Sequence, residues 1–104
     1  MKSITVEELK AKVDNGEKIN LIDCREPHEF AESHMGGILL PLGKIQTMQV
    51  EEIEDLKDEE VIIHCRSGKR SMMACMVLDQ LGFKDTANLE GGILNWQEKY
   101  GTLK

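Results

Sequence analysis

Aromatic residues are scarce in this sequence of 104 residues, which has one Trp, one Tyr and two Phe. The hydrophobic fraction is nevertheless 40%, so aliphatic side chains must supply most of a single core. We expect the six Met residues to fill much of the remaining interior, because methionine adapts to irregular gaps. The length suits one domain and is too short for two, so we predict a single domain over residues 1–104.

Paired cysteines and long apolar runs are also missing. The three cysteines, Cys24, Cys65 and Cys75, lack Cys-x-x-Cys spacing, which argues against a zinc or redox motif of that kind. Their odd number argues against a disulfide framework and fits a reducing compartment. No N-terminal segment resembles a signal peptide, and no run approaches the length that spans a membrane. We therefore predict a cytoplasmic protein.

An excess of positive charge is missing as well. The net charge is −6 at pH 7, which argues against nucleic acid or an anionic membrane as the main partner. Within this acidic background, Arg66, Lys69 and Arg70 form a local basic cluster. That contrast predicts a small anion bound at one place rather than a polyanion bound broadly.

Strand-forming and helix-forming segments alternate along the chain. Strands are predicted at 3–5, 19–24, 38–40, 61–64 and 86–89, and helices at 6–15, 27–32, 71–81 and 93–100. Residues 44–56 have an uneven helical pattern, which predicts two short pieces. The alternation indicates an α/β fold with three α/β/α layers, in which helices cover both faces of a mainly parallel five-stranded sheet.

Residues 61–71 carry the strongest chemical signal. An apolar strand ends at Cys65, and a short polar loop leads into the N-terminus of a helix. Unpaired backbone N–H groups and the helix dipole favour negative charge there, so the thiol tends to ionise to its reactive thiolate. Gly68 lets the backbone curl inward. Ligand sites lie beyond the carboxyl ends of parallel strands, and Asp23 and Glu90 stand near two other such ends.

Residues 65–71 (Cys-Arg-Ser-Gly-Lys-Arg-Ser) resemble the active-site loop of rhodanese sulfurtransferases, in which a cysteine, four residues and an arginine precede a helix. Residues 21–30 are similar to the family's Asp-x-Arg-Glu-x-x-Glu-Phe stretch, and residues 89–96 to its Gly-Gly-x-x-x-Trp segment. Residues 33–38 (Ser-His-Met-Gly-Gly-Ile) depart from the family's usual Gly-His-Ile-Pro-Gly-Ala. The resemblance implies that this segment forms a wall of the site.

The resemblance implies a double displacement. The Cys65 thiolate takes the outer sulfur of thiosulfate or of a persulfide donor, and the Cys65 persulfide passes it to cyanide, a thiol or a protein. The loop residues to which the resemblance assigns donor binding and stabilisation of the anionic sulfur are Arg66, Ser67, Gly68, Lys69, Arg70 and Ser71. No metal or organic cofactor is implied. A structural ion-pair network of Asp23, Arg25 and Glu29 is expected beside the site.

Other interpretations stay open at this point. Related cell-cycle phosphatases have five residues between cysteine and arginine, so the shorter loop here favours sulfur over phosphate. A phosphatase or arsenate reductase is therefore the less favoured alternative. A carrier that holds sulfur with little turnover is a second hypothesis. Arg70 could instead pair with an acidic neighbour.

Several single residues also have two interpretations. Cys24 is either a second redox thiol or a small core residue. His64 is expected to be a hydrogen-bonded strand histidine rather than a base. Cys75 and Trp96 are expected to pack in the core.

Overall fold

The computed structural model describes residues 1–101. Its strands are β1 (Lys2–Ile4), β2 (Leu21–Asp23), β3 (Ile38–Leu39), β4 (Glu60–His64) and β5 (Asp85–Leu89). Its helices are α1 (Val6–Asp14), α2 (Pro27–Glu32), α3 (Leu42–Gln46), α4 (Lys69–Gln80) and α5 (Gly92–Tyr100), with a 3₁₀ helix at Glu51–Leu56. The strands form one sheet in the order β1-β5-β4-β2-β3, and all neighbours are parallel. The predicted α/β fold is confirmed.

Local sequence signals set the ends of several helices. Thr5 Oγ1 accepts from Glu8 N at 3.1 Å, and Glu8 Oε1 accepts from Thr5 N at 3.0 Å, which is a capping box for α1. Pro27 lies in the first turn of α2, where its missing N–H leaves no helical bond unmade. The segment 44–56 does form two pieces, α3 and the 3₁₀ helix, separated by a turn in which Met48 has a φ of 63°.

Two elements begin two residues away from the sequence-based expectation, and the other boundaries agree within one residue. β2 begins at Leu21 instead of residue 19, and just before it the Asn20 side chain donates to Glu60 O at 2.9 Å. α4 begins at Lys69 instead of residue 71, so Lys69 and Arg70 belong to its first turn.

None of the helices described within residues 1–101 is long and apolar enough to cross a membrane.

Hydrophobic residues fill a core on each face of the sheet. The first core packs α3, the 3₁₀ helix and α4 against the sheet and includes Ile22, Cys24, Ile45, Ile53, Ile63, Cys65, Ala74, Cys75 and Leu78. The second packs α1 and α5 and includes Val6, Leu9, Ile62, Leu89, Ile93 and Trp96. Because side chains alternate along a strand, Ile63 and Cys65 face the first core while His64 faces the opposite side.

The expectation that methionine fills the interior is wrong. Met35 is 8% exposed, whereas Met1, Met48, Met72, Met73 and Met76 are between 46% and 66% exposed. On α4 the inward positions are taken by Ala74, Cys75 and Leu78, which leaves its three methionines on the outer face of this amphipathic helix. Leucine, isoleucine, valine and the buried Trp96 fill the cores instead.

Candidate active site

Three neighbouring strands end at one edge of the sheet and bring the predicted site residues there. Cys65 follows β4, Cys24 follows β2 and Glu90 follows β5. After Cys65 the chain turns into α4, whose N-cap is Gly68 with a φ of 106°. Glycine adopts this left-handed conformation without the steric cost of a side chain, so Gly68 permits the tight turn around the thiol.

The sulfur of Cys65 lies inside this turn, and the residue is 1% exposed. The backbone N–H of Gly68 donates to Sγ at 3.1 Å. Ser71 Oγ lies 3.5 Å from Sγ and 2.5 Å from Asn88 Oδ1. Because a hydroxyl carries one proton, Ser71 donates to one of these acceptors at a time. The sulfur therefore sits among donors from the loop and from the first turn of α4.

Asn88 supports the site and is absent from the residues that the sequence analysis selected. It lies on β5, is 5% exposed, and its Nδ2 donates to Gly68 O at 3.3 Å while its Oδ1 accepts from Ser71. The signal that could have found it is a polar amide near the carboxyl end of the predicted strand 86–89, because an amide buried there requires hydrogen-bond partners. Asn88 ties β5 to the turn that surrounds the sulfur.

The N-terminus of α5 holds the loop from the other side. Ile93 N donates to Cys65 O at 3.0 Å, and Leu94 N donates to Arg66 O at 3.1 Å. These bonds fix the loop carbonyls against α5. A Cβ added at Gly92 would lie 2.5 Å from the carbonyl oxygens of both Cys65 and Arg66, so glycine is required for this close approach.

We expect Gly92→Ala to disturb the loop. Its φ of 59° and the contact with two carbonyl oxygens would strain the backbone by on the order of 1–3 kcal/mol and push residues 65–66 away from α5. The melting temperature should fall, and so should the rate of the sulfur transfer that the resemblance implies. Gly43→Ala is the matched control, because no atom lies within 4 Å of its added Cβ. Equal effects of the two substitutions would contradict the prediction.

The surroundings of Cys65 lower the pKa of its thiol well below the ordinary value of 9.0. The largest contribution comes from the Cys24 thiol, followed by donors of Ser71 and Gly68, and together they outweigh the opposing effect of burial. The pKa of Cys24 is raised by its interaction with Cys65 and by burial. At neutral pH, Cys65 is therefore the thiolate and Cys24 the protonated thiol.

Arg70 is held by an acidic partner. Its Nη1 and Nη2 donate to Glu29 Oε1 and Oε2 at 2.7 Å and 3.0 Å, a bidentate arrangement that joins α4 to α2. The structure thus has the arrangement in which Arg70 pairs with an acidic neighbour. Glu29 belongs to this pair, so the expectation that it joins Asp23 and Arg25 in one hydrogen-bond network is wrong. The Arg70 guanidinium lowers the pKa of the Glu29 carboxyl to about 2.

This pair should make folding stability depend on pH in acid. The Glu29 pKa is about 2 in the folded protein and ordinarily 4.5, so the folded state binds fewer protons between these values. The stabilisation is present above the ordinary pKa and is lost as the pH falls through the folded one. The difference in unfolding free energy between wild type and Glu29→Gln should therefore shrink over that range in urea titrations. Glu32→Gln, an exposed change on the same helix, should show no such trend; a constant difference for Glu29→Gln would contradict the prediction.

The remaining charged loop residues face solvent. Arg66, Ser67 and Lys69 are exposed. Ser67, Gly68, Lys69 and Glu90 border a cleft of about 260 Å³ beside the turn. Glu90 is itself exposed, and its backbone N–H donates to Ile4 O at 2.9 Å. The cleft thus brings a cation and a carboxylate next to the loop that surrounds Cys65.

Asp23 and Arg25 form a buried ion pair, as the sequence predicted, on the sheet face opposite Cys65. The Asp23 carboxylate accepts from Arg25 Nε at 3.0 Å and from Arg25 Nη2 at 2.8 Å. Arg25 Nη2 also donates to Ser33 O at 2.7 Å. The two residues are 0% and 4% exposed. They secure the end of β2, and neither makes a hydrogen bond to the sulfur within residues 1–101.

The expectation that His64 is a hydrogen-bonded strand histidine is met at one ring nitrogen, because Nδ1 lies 3.4 Å from Cys65 O. The other ring nitrogen of His64, Nε2, is buried without a hydrogen-bond partner in the described part of the chain, 3.8 Å from Asp23 Oδ2. Burial lowers the pKa of His64, so the imidazole is neutral at pH 7. It faces away from the Cys65 thiol, which agrees with the expectation that it is not the base.

The segment 33–38 has contacts on the sheet face opposite Cys65, and its role as a wall of the site stays a prediction. Ser33 Oγ accepts from Gln97 Nε2 at 3.1 Å. Met35 and Gly36, two of the positions that depart from the usual sequence, line a cavity with Trp96, on the face of the sheet that α1 and α5 cover.

Comparison with known proteins agrees with this fold. Residues 5–99 match the family model described as Rhodanese-like domain. YtwF of Bacillus subtilis, named as a candidate sulfurtransferase, is 41% identical over 99 residues, which cover 93% of this chain and 91% of YtwF. YrkF of the same organism, named as a candidate sulfur carrier protein, is 36% identical over 97 residues, but the match spans only 51% of YrkF and 92% of this chain.

A solved structure extends the comparison. The rhodanese-like domain protein from Staphylococcus aureus matches with a TM-score of 0.82 and 32% identity, covering 92% of this chain and 91% of that one. The similarity thus includes sequence, fold and nearly the full length of both chains. The chain therefore belongs to the rhodanese-like domain family, with a role of the sulfurtransferase type.

Proposed function

We propose that this chain transfers sulfane sulfur by way of a persulfide on Cys65. The Cys65 thiolate attacks the outer sulfur of thiosulfate, the S–S bond of the donor breaks, and sulfite leaves with the bonding electron pair. An acceptor thiolate then attacks the outer sulfur of the persulfide, and Cys65 leaves as a thiolate. The observation that carries the proposal is the position of Sγ, 3.1 Å from the Gly68 N–H in surroundings that lower the pKa of the thiol.

The size of the turn favours sulfur over a phosphoryl group. Residues 66–69 alone separate Cys65 from Arg70, and Cys65 is 1% exposed, so little space surrounds Sγ. A persulfide adds a single anionic atom, which the loop N–H groups can stabilise much as an oxyanion hole stabilises oxygen. A phosphoryl group would bring several oxygens into the same space.

The donor anion would be bound by the exposed cations of the loop. Arg66 and Lys69 are exposed, and Lys69 borders the cleft beside the turn. Arg70 is already paired with Glu29, so it contributes less to donor binding than its place in the motif suggests. Its positive charge still favours an anion at Cys65, because the two groups interact electrostatically.

A sulfur carrier with little turnover is the second candidate function. It is supported by the similarity to YrkF, which is named as a sulfur carrier protein. The deep burial of Cys65 is also compatible with a persulfide that is protected until an acceptor protein docks. The same chemistry at Cys65 underlies both candidates, and they differ in the rate at which small acceptors remove the sulfur.

One experiment tests the proposal and separates the two candidates. The reduced protein is exposed to thiosulfate or to a small-molecule persulfide, and its intact mass is measured together with thiocyanate formation from cyanide. Transfer predicts a gain of one sulfur atom on Cys65, measured directly after the donor is added, and sustained thiocyanate production. A gain of sulfur without turnover supports the carrier. Hydrolysis of an aryl phosphate, with no sulfur uptake from either donor, would contradict both.

A further inference from the structure

Cys24 is placed against Cys65 by the pairing of β2 with β4. Asp23 and His64 are register partners in these parallel strands, and Cys24 N donates to His64 O at 3.0 Å. Cys24 and Cys65 are the next pair along the two strands. Side chains of neighbouring residues in register point to the same face, and both cysteines belong to the same core at 1% exposure.

The spacing of such a pair suits a disulfide bond. Neighbouring strands lie about 4.7–4.9 Å apart, and disulfides join Cα atoms that are about 4.4–6.8 Å apart. The two thiols already interact in the reduced protein, because each is the largest influence on the pKa of the other. Cys24 and Cys65 therefore need no large backbone movement to become bonded.

The two sides of Cys65 hold different groups. β4 lies between β5 and β2 in the sheet. On the side of β5, Ser71 and Asn88 form the polar surroundings of the loop. On the side of β2, Cys24 is the neighbour of the thiol. An outer sulfur held by the loop would leave the inner sulfur of Cys65 open to attack from Cys24.

We propose that Cys24 is a resolving thiol that releases sulfide from the Cys65 persulfide. This inference rests on the proposed function, because it requires a persulfide on Cys65. The Cys24 sulfur bonds to Cys65 Sγ, and the bond between Sγ and the outer sulfur breaks. The outer sulfur is reduced and leaves as hydrosulfide with the proton of Cys24, while the Cys24 sulfur is oxidised and a disulfide between Cys24 and Cys65 remains. An external dithiol then reduces this disulfide and restores the starting protein.

Attack by Cys24 would give the persulfide sulfur a second fate, release as sulfide, besides transfer to an acceptor. A fast acceptor takes the sulfur from the persulfide and leaves both cysteines reduced. When no acceptor is present, Cys24 attacks the inner sulfur and sulfide is released. In the reduced protein, Cys65 and burial raise the pKa of Cys24. Attack by such a protonated thiol is slower than transfer to an acceptor that is already ionised.

The test compares wild type with Cys24→Ser and Cys24→Ala. Each reduced protein is treated with thiosulfate or a small-molecule persulfide and freed of excess donor. Released sulfide and intact mass are then followed without any acceptor, and circular dichroism verifies that each variant is folded. Cys75→Ala is the matched control, because Cys75 is buried on α4 and neither of the other cysteines contributes to its pKa.

Wild type and Cys75→Ala should release one sulfide per persulfide and end with the mass of a disulfide, mapped by proteolysis to Cys24 and Cys65. The two Cys24 variants should retain one added sulfur and release none over the same time. Sulfur retained by wild type as stably as by the Cys24 variants would overturn the role of Cys24 while leaving the proposed function intact. If neither wild type nor the folded Cys24 variants take up sulfur or release sulfide with either donor, the proposed function fails and the resolving role fails with it.

Discussion

Cys65→Ser is expected to abolish sulfur transfer, lowering kcat/KM by on the order of a thousandfold or more, because removal of a covalent nucleophile leaves only binding effects. Serine keeps a hydrogen-bonding atom at the same place, so the loop contacts from Gly68 and Ser71 can persist. Its hydroxyl does not ionise near neutral pH, however, and an oxygen does not accept sulfane sulfur as a thiolate does. The measurement is thiocyanate formation, together with intact mass after exposure to a donor.

The control for this substitution is Cys75→Ala, which also removes one buried thiol but lies on α4 away from the loop. It should retain the wild-type rate of thiocyanate formation. A Cys65→Ser protein that still turns over thiosulfate near the wild-type rate would eliminate Cys65 as the nucleophile. Sulfur that is found on Cys24 in that variant would point to a different site.

Among the substitutions considered, removal of Arg25 from its ion pair should lower the free energy of unfolding the most. Arg25→Met would leave the Asp23 carboxylate buried at 0% exposure without the three guanidinium contacts of 2.8–3.1 Å that now compensate it. Breaking a buried pair in this way typically costs about 3–5 kcal/mol, out of a total stability of roughly 5–15 kcal/mol for a domain. Urea titration should show a correspondingly lower midpoint.

Two comparisons make the result specific to the buried charge. The double variant Asp23→Leu with Arg25→Met removes both charges and should be more stable than Arg25→Met alone, because no uncompensated carboxylate remains. Lys84→Met removes an exposed ion pair with Asp58, whose side chains are 73% and 78% exposed, and should leave the urea midpoint nearly unchanged. If all three variants unfold at the same urea concentration, burial of the Asp23 charge is not what makes the pair important.

Predictions from local sequence succeeded where the physical cause is itself local. The Thr5–Glu8 capping box and Pro27 place the starts of α1 and α2, because capping involves residues a few positions apart. The alternation of strands and helices identifies the α/β class for a similar reason. The starts of β2 and α4 lie two residues from their predicted positions. Local sequence does not predict these ends well, because they also depend on contacts with other strands, such as the bond from Asn20 to Glu60 O.

Predictions about individual side chains stayed open or were wrong where contacts with distant segments determine the position of the side chain. Arg70 pairs with Glu29, 41 positions earlier in the chain, and the sequence left this pair open beside a role in donor binding. The amino-acid composition of α4 does not show whether its methionines are exposed or buried, and in the structure they are exposed. Their position depends on which face of the helix meets the sheet, and that face is set by packing of the whole domain.

The sequence by itself determined the order of the elements and the cysteine loop of residues 65–71, because strand, turn and helix signals are encoded within a few residues. The tertiary structure alone decided which groups surround that cysteine. Asn88 reaches the loop from β5, and Cys24 lies beside Cys65 because β2 pairs with β4 in a defined register. Strand order and register arise from contacts between segments far apart in the chain. The position of the Cys24 thiol beside the Cys65 sulfur is therefore evident only in the folded sheet.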